Sequence, residues 1–208
     1  LFLESKHTGQ EALRVFVNTV LAQSWEEDEG DGVETNDIMA RAEKFETVLP
    51  AKEIGVLCAS ADVQADRIEV LVNGYSANQT WIVGFQIFYG SPTSESLWNE
   101  VEEYLKTTWP HPSGNDLRIT RSFIDSGYET GAVYNFCKKL EALGVRAIKG
   151  VGGINRAEVG RPTKNNTARC NVFPLGVNTL KTQILARLKI DDPSNSGFIN
   201  FPDFLDEE

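Results

Sequence analysis

A chain of 208 residues, 41% of them hydrophobic, is long enough to bury one sizeable core, and no apolar run approaches the roughly 20 residues that cross a bilayer. Three cysteines at wide spacings and two histidines, His7 and His111, exclude a disulfide framework, a CxxC zinc site and a histidine-based triad. Any chemistry must therefore lean on carboxylates, and the net charge of −10, taken as an average, argues against a polyanionic partner.

The start, "LFLESKHTGQ", lacks the basic-then-apolar order of a signal peptide, so an unsecreted protein or fragment with no membrane role is expected. Residues 1–50 read as a helical arm. Leu13, Phe16, Val17, Val20 and Leu21 have the spacing of an amphipathic helix, and Trp25 is expected to anchor it. "EEDEGDGVETND" carries seven acids in twelve residues and reads as an exposed loop. A short helix capped by Thr35 or Asn36 is expected to run to about Phe45 before Pro50 closes the arm.

From residue 51 to 208 the pattern is that of a mixed α/β domain. "IGVLCASAD", "RIEVLVNGY" and "TWIVGFQIFYG", separated by the turn signals "VQAD" and "SANQ", predict a three-stranded antiparallel meander. "SESLWNEVEEYLKTTW" predicts a helix, "LRITRSFID" a fourth strand, "GAVYNFCKKLEALG" a helix stopped by Gly144, and "VRAIKG" a fifth strand. "GVGGINRAEVGRPTKNNT", rich in glycine and basic residues, reads as a mobile loop or hairpin; a strand in "ARCNVFPLG", a helix in "VNTLKTQILARLKI" and a short strand in "SGFINFP" follow. The aromatics Trp81, Phe85, Phe88 and Trp98 are expected in the core.

The charge is unevenly spread. Residues 138–189 hold eleven Lys or Arg against Glu141 and Glu158, a local net of +9, which leaves −19 on the remainder. That asymmetry points to a polyanion partner despite the acidic average, with a solvated basic face as the bland alternative. In the glycine-rich stretch, Arg156, Arg161, Lys164 and Arg169 are the candidates for touching a DNA backbone, where they would position rather than read sequence.

Asp62 and Asp125 each close an apolar strand. If the first and fourth strands are parallel neighbours, both carboxylates emerge at one sheet edge, and a hard divalent cation, Mg²⁺ or Mn²⁺, would relieve their repulsion. Such a site can activate a water toward a phosphodiester. Three antiparallel strands, a helix, and a strand returning beside the first is the ribonuclease H pattern. Asp at a strand end is also common as a cap or turn residue. Asp66 and Arg67 are expected to brace the turn, and Lys149, ending the fifth strand, to meet the scissile phosphate or temper the carboxylate pair.

The segments "ASADVQADRIEVLVNGYSANQTWIVGFQIFYG", "FIDSGYETGAVYNFC", "AIKG" and "FVNTVLAQSWEE" resemble the lambda-type (GpA) large terminase subunit of tailed bacteriophages, over its linker and C-terminal nuclease domain. The resemblance implies a ribonuclease H-like endonuclease that cuts concatemeric double-stranded viral DNA into genome ends, in the host bacterial cytoplasm, with the terminase small subunit and the portal protein as partners. The family's metal-binding aspartates fall on Asp62 and Asp125. Two departures stand out. No GxxxxGK[ST] loop occurs, so the motor half is not in this sequence. The family's later "NEALD"-like acidic stretch is also missing, so a third carboxylate is expected beyond Glu208, unless Asp203 or Asp206 folds back. The rival readings are another ribonuclease H-like enzyme, such as a transposase or resolvase, and a catalytically silent DNA- or portal-docking module.

Overall fold

The computed structural model describes residues 38–45, 48–153 and 155–206, all within one compact unit, residues 33–208. The arm helix expected over Leu13–Leu21 and the acidic loop after it lie outside the described residues, as does His7. Among the described residues of the second expected arm helix, only 38–39 are helical; the helix does not run on to Phe45, because Ala42–Glu43 form a strand, β1, that pairs in parallel with a strand from the far end of the chain.

The meander forms as expected: β2 (Val56–Val63), β3 (Arg67–Tyr75) and β4 (Thr80–Tyr89) pair antiparallel. Their period-two patterns set the two faces apart. Leu57, Ala59, Ala61 and Val63 of β2 and Ile68, Val70 and Val72 of β3 are buried, while Ser60, Asp62 and Glu69 belong to the opposite, open face. Helix α1 (Glu95–Leu105) follows, with Leu97, Trp98, Val101 and Leu105 buried on one stripe. The sequence periodicity carries this helix to Trp109. The chain instead leaves it after Leu105, and Thr108–Pro110 form β5 against the start of β6 (Asp116–Asp125). The β-branched Thr107 and Thr108 favour extended backbone, and Pro110 pushes the residue before it out of the helical region.

Beyond β6, helix α2 (Thr130–Lys139) buries Val133, Phe136 and Cys137 and leads through a 3₁₀ turn, Glu141–Leu143, to Gly144. Gly144 stops the chain at φ +86°, a left-handed conformation that a side chain would strain. Strand β7 (Val145–Val151) then returns parallel to β6. The basic stretch after it folds back as a hairpin, β8 (Thr163–Lys164) against β9 (Asn171–Gly176), and β9 runs parallel to β7. Helix α3 (Val177–Leu188) buries none of its residues; Arg187 ties its last turn to the Thr80 hydroxyl at 2.7 Å and the Gly197 carbonyl at 2.9 Å. The final strand, β10 (Ile199–Pro202), pairs with β4.

The resulting sheet has the order β1-β10-β4-β3-β2-β6-β7-β9-β8. Helices α1 and α2 pack together over its apolar face, with the rings of Trp98 and Phe136 centred 4.6 Å apart, and one core cluster joins them to Leu57, Val70, Ile124 and Ala147. Burying each of these large apolar side chains stabilises the fold by about 1.5–3 kcal/mol. Trp81 and Trp98 are buried and Phe85 and Phe88 half-buried, as their positions predict. The cysteines are free, as their spacing suggests.

Candidate functional site

Strand β2 lies between β3 and β6, antiparallel to the first and parallel to the second. The β2–β6 register ends on Ala61 beside Ile124, both buried. One residue further along each strand stand Asp62 and Asp125. Side chains alternate, so both carboxylates leave the same face at the same carboxyl-terminal end, on strands about 4.8 Å apart. The sequence pairing of the two aspartates is thereby met in space. Asp62 is exposed and Asp125 half-buried.

The turn after Asp125 fixes that carboxylate from below. Ser126 is fully buried, and both its amide and its hydroxyl donate to the Ile148 carbonyl, at 2.9 and 2.7 Å. The Thr130 hydroxyl donates to the Ser126 carbonyl at 2.8 Å, and Glu129, at φ 42°, takes the left-handed conformation that starts α2. Gly127 closes the approach: a Cβ there would lie 3.0 Å from Asp125 Oδ2, so only glycine leaves that oxygen undisturbed.

Asp62 is held by a neutral group. Gln64 Nε2 donates to Asp62 Oδ2 at 3.1 Å and reaches Glu69 Oε1 at 3.4 Å. Glu69 is the direct cross-strand partner of Asp62 and shares its face, but it is committed to Arg67, whose Nε lies 2.6 Å from its Oε1. Arg67 also pairs with Asp66 at 3.1 Å, so these two residues brace the turn as expected. Reasoning from the sequence does not place Glu69 and Gln64 beside Asp62. The signal is nonetheless present: a hairpin centred on "QADR" sets 62 opposite 69.

Among the described residues, no cation forms an ion pair with Asp62 or Asp125, and no three His, Cys, Asp or Glu side chains cluster as a metal cage. Two adjacent, unneutralised carboxylates fit a small hard cation such as Mg²⁺, which is commonly held by one or two carboxylates together with substrate phosphates and water. Asp203 does not complete the site. It follows β10, which is separated from β2 by β4 and β3.

Lys149 does not join the aspartates. On β7 it alternates with Ile148, whose register partner is Asp125, and so shares the opposite face with the buried Ala147. The period-two rule that unites Asp62 with Asp125 thus carries Lys149 to the α2 side of the sheet. The four basic residues of the glycine-rich stretch are exposed along the outer edge. Arg156 sits in the loop leaving the carboxyl end of β7, where its carbonyl accepts the Thr179 hydroxyl at 2.8 Å. Arg161 follows the Gly160 amide, which donates to the Pro174 carbonyl at 2.8 Å. Lys164, opposite Asn171, and Arg169, at φ 54°, flank the amino end of β9.

The strand order β4-β3-β2-β6-β7, with an antiparallel meander followed by parallel returns and an aspartate at the end of each central parallel strand, defines a ribonuclease H-like domain. Residues 2–208 match the family model of the terminase large subunit gpA, endonuclease domain. The chain belongs to that family. It is 28% identical over 197 residues to the terminase large subunit of Enterobacteria phage P21 and 28% over 201 residues to that of Escherichia phage lambda. These alignments cover 92% and 93% of this chain but 30% and 31% of those proteins, so the chain spans about a third of their length. Among solved structures, the Mn-soaked human cytomegalovirus terminase nuclease domain aligns with a TM-score of 0.47 at 14% identity, over 82% of this chain and 76% of that one. The large terminase of a thermophilic bacteriophage aligns at 0.34 and 11%, over 59% and 26%. No helix among the described residues is long and apolar enough to cross a membrane.

Proposed function

We propose that this chain is a metal-dependent endonuclease that hydrolyses the phosphodiester backbone of double-stranded DNA, cutting concatemeric viral DNA into genome ends within a packaging terminase. The observation that carries the reading is the emergence of Asp62 and Asp125 on one face at one end of adjacent parallel strands, with no neutralising cation among the described residues. Family membership supports it. Asp62 and Asp125 would hold Mg²⁺ or Mn²⁺. When bound, such an ion supplies Lewis acidity, acidifying a water for attack and polarising the phosphoryl oxygens.

The remaining work falls to the protein's own groups. Gln64 orients Asp62 through a neutral hydrogen bond that leaves its charge intact. Ser126, Thr130 and Gly127 set the position of Asp125. Arg156, in the loop that leaves the carboxyl end of β7, and the exposed Arg161, Lys164 and Arg169 form a cationic edge that suits a duplex backbone. In the whole assembly the terminase small subunit and the portal protein are the proposed partners, in the cytoplasm of the bacterial host.

The test is cleavage of linear duplex DNA with added Mn²⁺, alongside Mn²⁺ titration followed by calorimetry. Asp62→Asn and Asp125→Asn should each remove cutting and weaken Mn²⁺ binding while the unfolding midpoint stays in place. Undiminished cutting by Asp62→Asn would remove that residue from the mechanism.

A further inference from the structure

The strand register continues the aspartate row onto a third strand. Glu69 on β3 is the direct partner of Asp62, and Asp62 stands beside Asp125, so three carboxylates occupy one row on the adjacent strands β3, β2 and β6. Ile87 of β4, opposite Glu69, and Ile148 of β7, opposite Asp125, end the row on either side, and both are half-buried. Register partners share a face, so all five side chains leave on the open side of the sheet. Like charges set directly opposite each other across a strand pair destabilise it, and apolar neighbours at both ends of the row strengthen the repulsion by displacing water.

Arg67 answers only part of that charge. Its Nε donates to Glu69 Oε1 at 2.6 Å and its Nη1 to Asp66 Oδ1 at 3.1 Å, so one guanidinium is divided between two acids and pairs with neither aspartate of the row. An ion pair is the ordinary reading of a glutamate two places from an arginine on one strand face, and it accounts for Oε1 alone. Oε2 makes no hydrogen bond among the described residues. Gln64 marks where the acids point. Its amide nitrogen lies 3.1 Å from Asp62 Oδ2 and 3.4 Å from Glu69 Oε1, so oxygens of both carboxylates converge on one donor. A carboxylate that ligates a metal is itself ordinarily held by a hydrogen bond, which is the part Arg67 plays for Glu69.

We infer that Glu69 is a third carboxylate of the cation site, lent by β3 and entering through Oε2 while Arg67 holds Oε1. The inference rests on the reading of Asp62 and Asp125 as cation ligands. As found, the three acids do not close into a cage. The glutamate side chain is one methylene longer than that of aspartate, and rotation about its own bonds carries Oε2 from β3 toward Asp62. Asp66, the other acid on the same arginine, precedes β3 and stands outside the row, so it has no such part.

The experiment is calorimetric titration of the 208-residue chain with Mn²⁺, joined by Mg²⁺ titration followed on the side-chain carboxyl ¹³C resonances, with no DNA present. Mg²⁺ should shift the Glu69 carboxyl resonance, assigned through its own backbone, saturably and together with those of Asp62 and Asp125. That resonance belongs to the unaltered chain, so it decides the matter even where a variant is poorly folded. Glu69→Gln should weaken Mn²⁺ by about tenfold or more, since losing even an outer-shell partner of a metal costs roughly 10–100-fold. Glu69→Asp keeps the charge but withdraws the carboxylate by a methylene, and should weaken Mn²⁺ by a similar factor. Asp66→Asn, the same loss of charge at the exposed turn, should change it by no more than about twofold, because solvent and salt screen it. A Glu69 resonance that stays still while those of Asp62 and Asp125 move, full affinity in Glu69→Gln or Glu69→Asp, or equal weakening by Asp66→Asn and Glu69→Gln would overturn the inference and leave the two-aspartate reading intact. If the unaltered chain binds no Mn²⁺, or if neither Asp62→Asn nor Asp125→Asn weakens it, both readings fall together.

Discussion

At the carboxyl-terminal ends of β6 and β7, one residue along the chain separates two chemistries. Asp125 and its neighbour Ile148 belong to the open face with Asp62, while Ile124 and Lys149 belong to the face covered by α1 and α2. On the open face Asp62 and Asp125 stand side by side with no ion-pair partner among the described residues; on the covered face Lys149 follows the buried Ala147 and borders a cavity that no carboxylate lines. Two strands of identical direction therefore present opposite charge to opposite sides, and the sorting is done by strand alternation alone. Position at a strand end does not by itself make a catalytic residue. Parity along the strand decides which side it serves.

The largest expected effect breaks the open face. Asp62→Asn removes a charge but keeps the shape, so the fold should survive while DNA cleavage falls by more than the roughly 10–100-fold typical of losing an outer-shell partner of a metal. On the covered face the outcome inverts. Ile124, fully buried between Phe123 and Asp125, should cost about 2–5 kcal/mol when truncated to alanine. Denaturant unfolding checks this, and a stability loss for Asp62→Asn matching that of Ile124→Ala would dissolve the distinction between the faces.

Gly127→Ala sharpens the comparison at smaller scale. The added Cβ would meet Asp125 Oδ2 at 3.0 Å, tighter than ordinary van der Waals contact, so the carboxylate must shift by a few tenths of an ångström. Cleavage should fall by about tenfold, since a displacement of a full ångström can cost about a hundredfold. Gln64→Ala, which frees Asp62 Oδ2 from its 3.1 Å donor, should cost less still, as Asp62 keeps its strand position. An unchanged rate in Gly127→Ala would mean that the position of Asp125 is not critical to the reaction.

Much of this is readable from the residues. The meander, the returning strand and both aspartates follow from period-two patterning and from acids that close apolar runs. What is not readable is instructive. Lys149 looks like a catalytic neighbour because sequence shows the strand's end but not its register against β6, and a shift of one residue reverses the face. The helix expected to reach Trp109 stops at Leu105 because Thr107, Thr108 and Pro110 favour an extended path that the edge of β6 can pair. Ala42–Glu43 form a strand because their partner, Phe201–Pro202, lies near the other end of the chain, and no local pattern reports a pairing that distant.

The smallest effect concerns how the covered face is held. Glu102 on α1 reaches Lys106, the residue that caps the end of its own helix, at 2.6 Å and Lys139 on α2 at 2.7 Å, clamping the two helices above the core. The hydrogen bond from Lys106, and after it that from Lys139, holds the Glu102 carboxyl below its ordinary value of 4.5. A lowered folded-state pKa means the unfolded chain takes up the proton more readily. The clamp therefore stabilises fully above about pH 4.5 and is lost as pH falls through the lowered folded value. Because the pair lies near solvent, its worth is below about 1 kcal/mol. Glu102→Gln should lower the unfolding midpoint by no more than about 2–4 °C at neutral pH, and the gap to the unaltered chain should close on acidification. A gap that persists or widens in acid would show that the clamp acts through packing rather than charge, and that the covered face owes its cohesion to its apolar contacts alone.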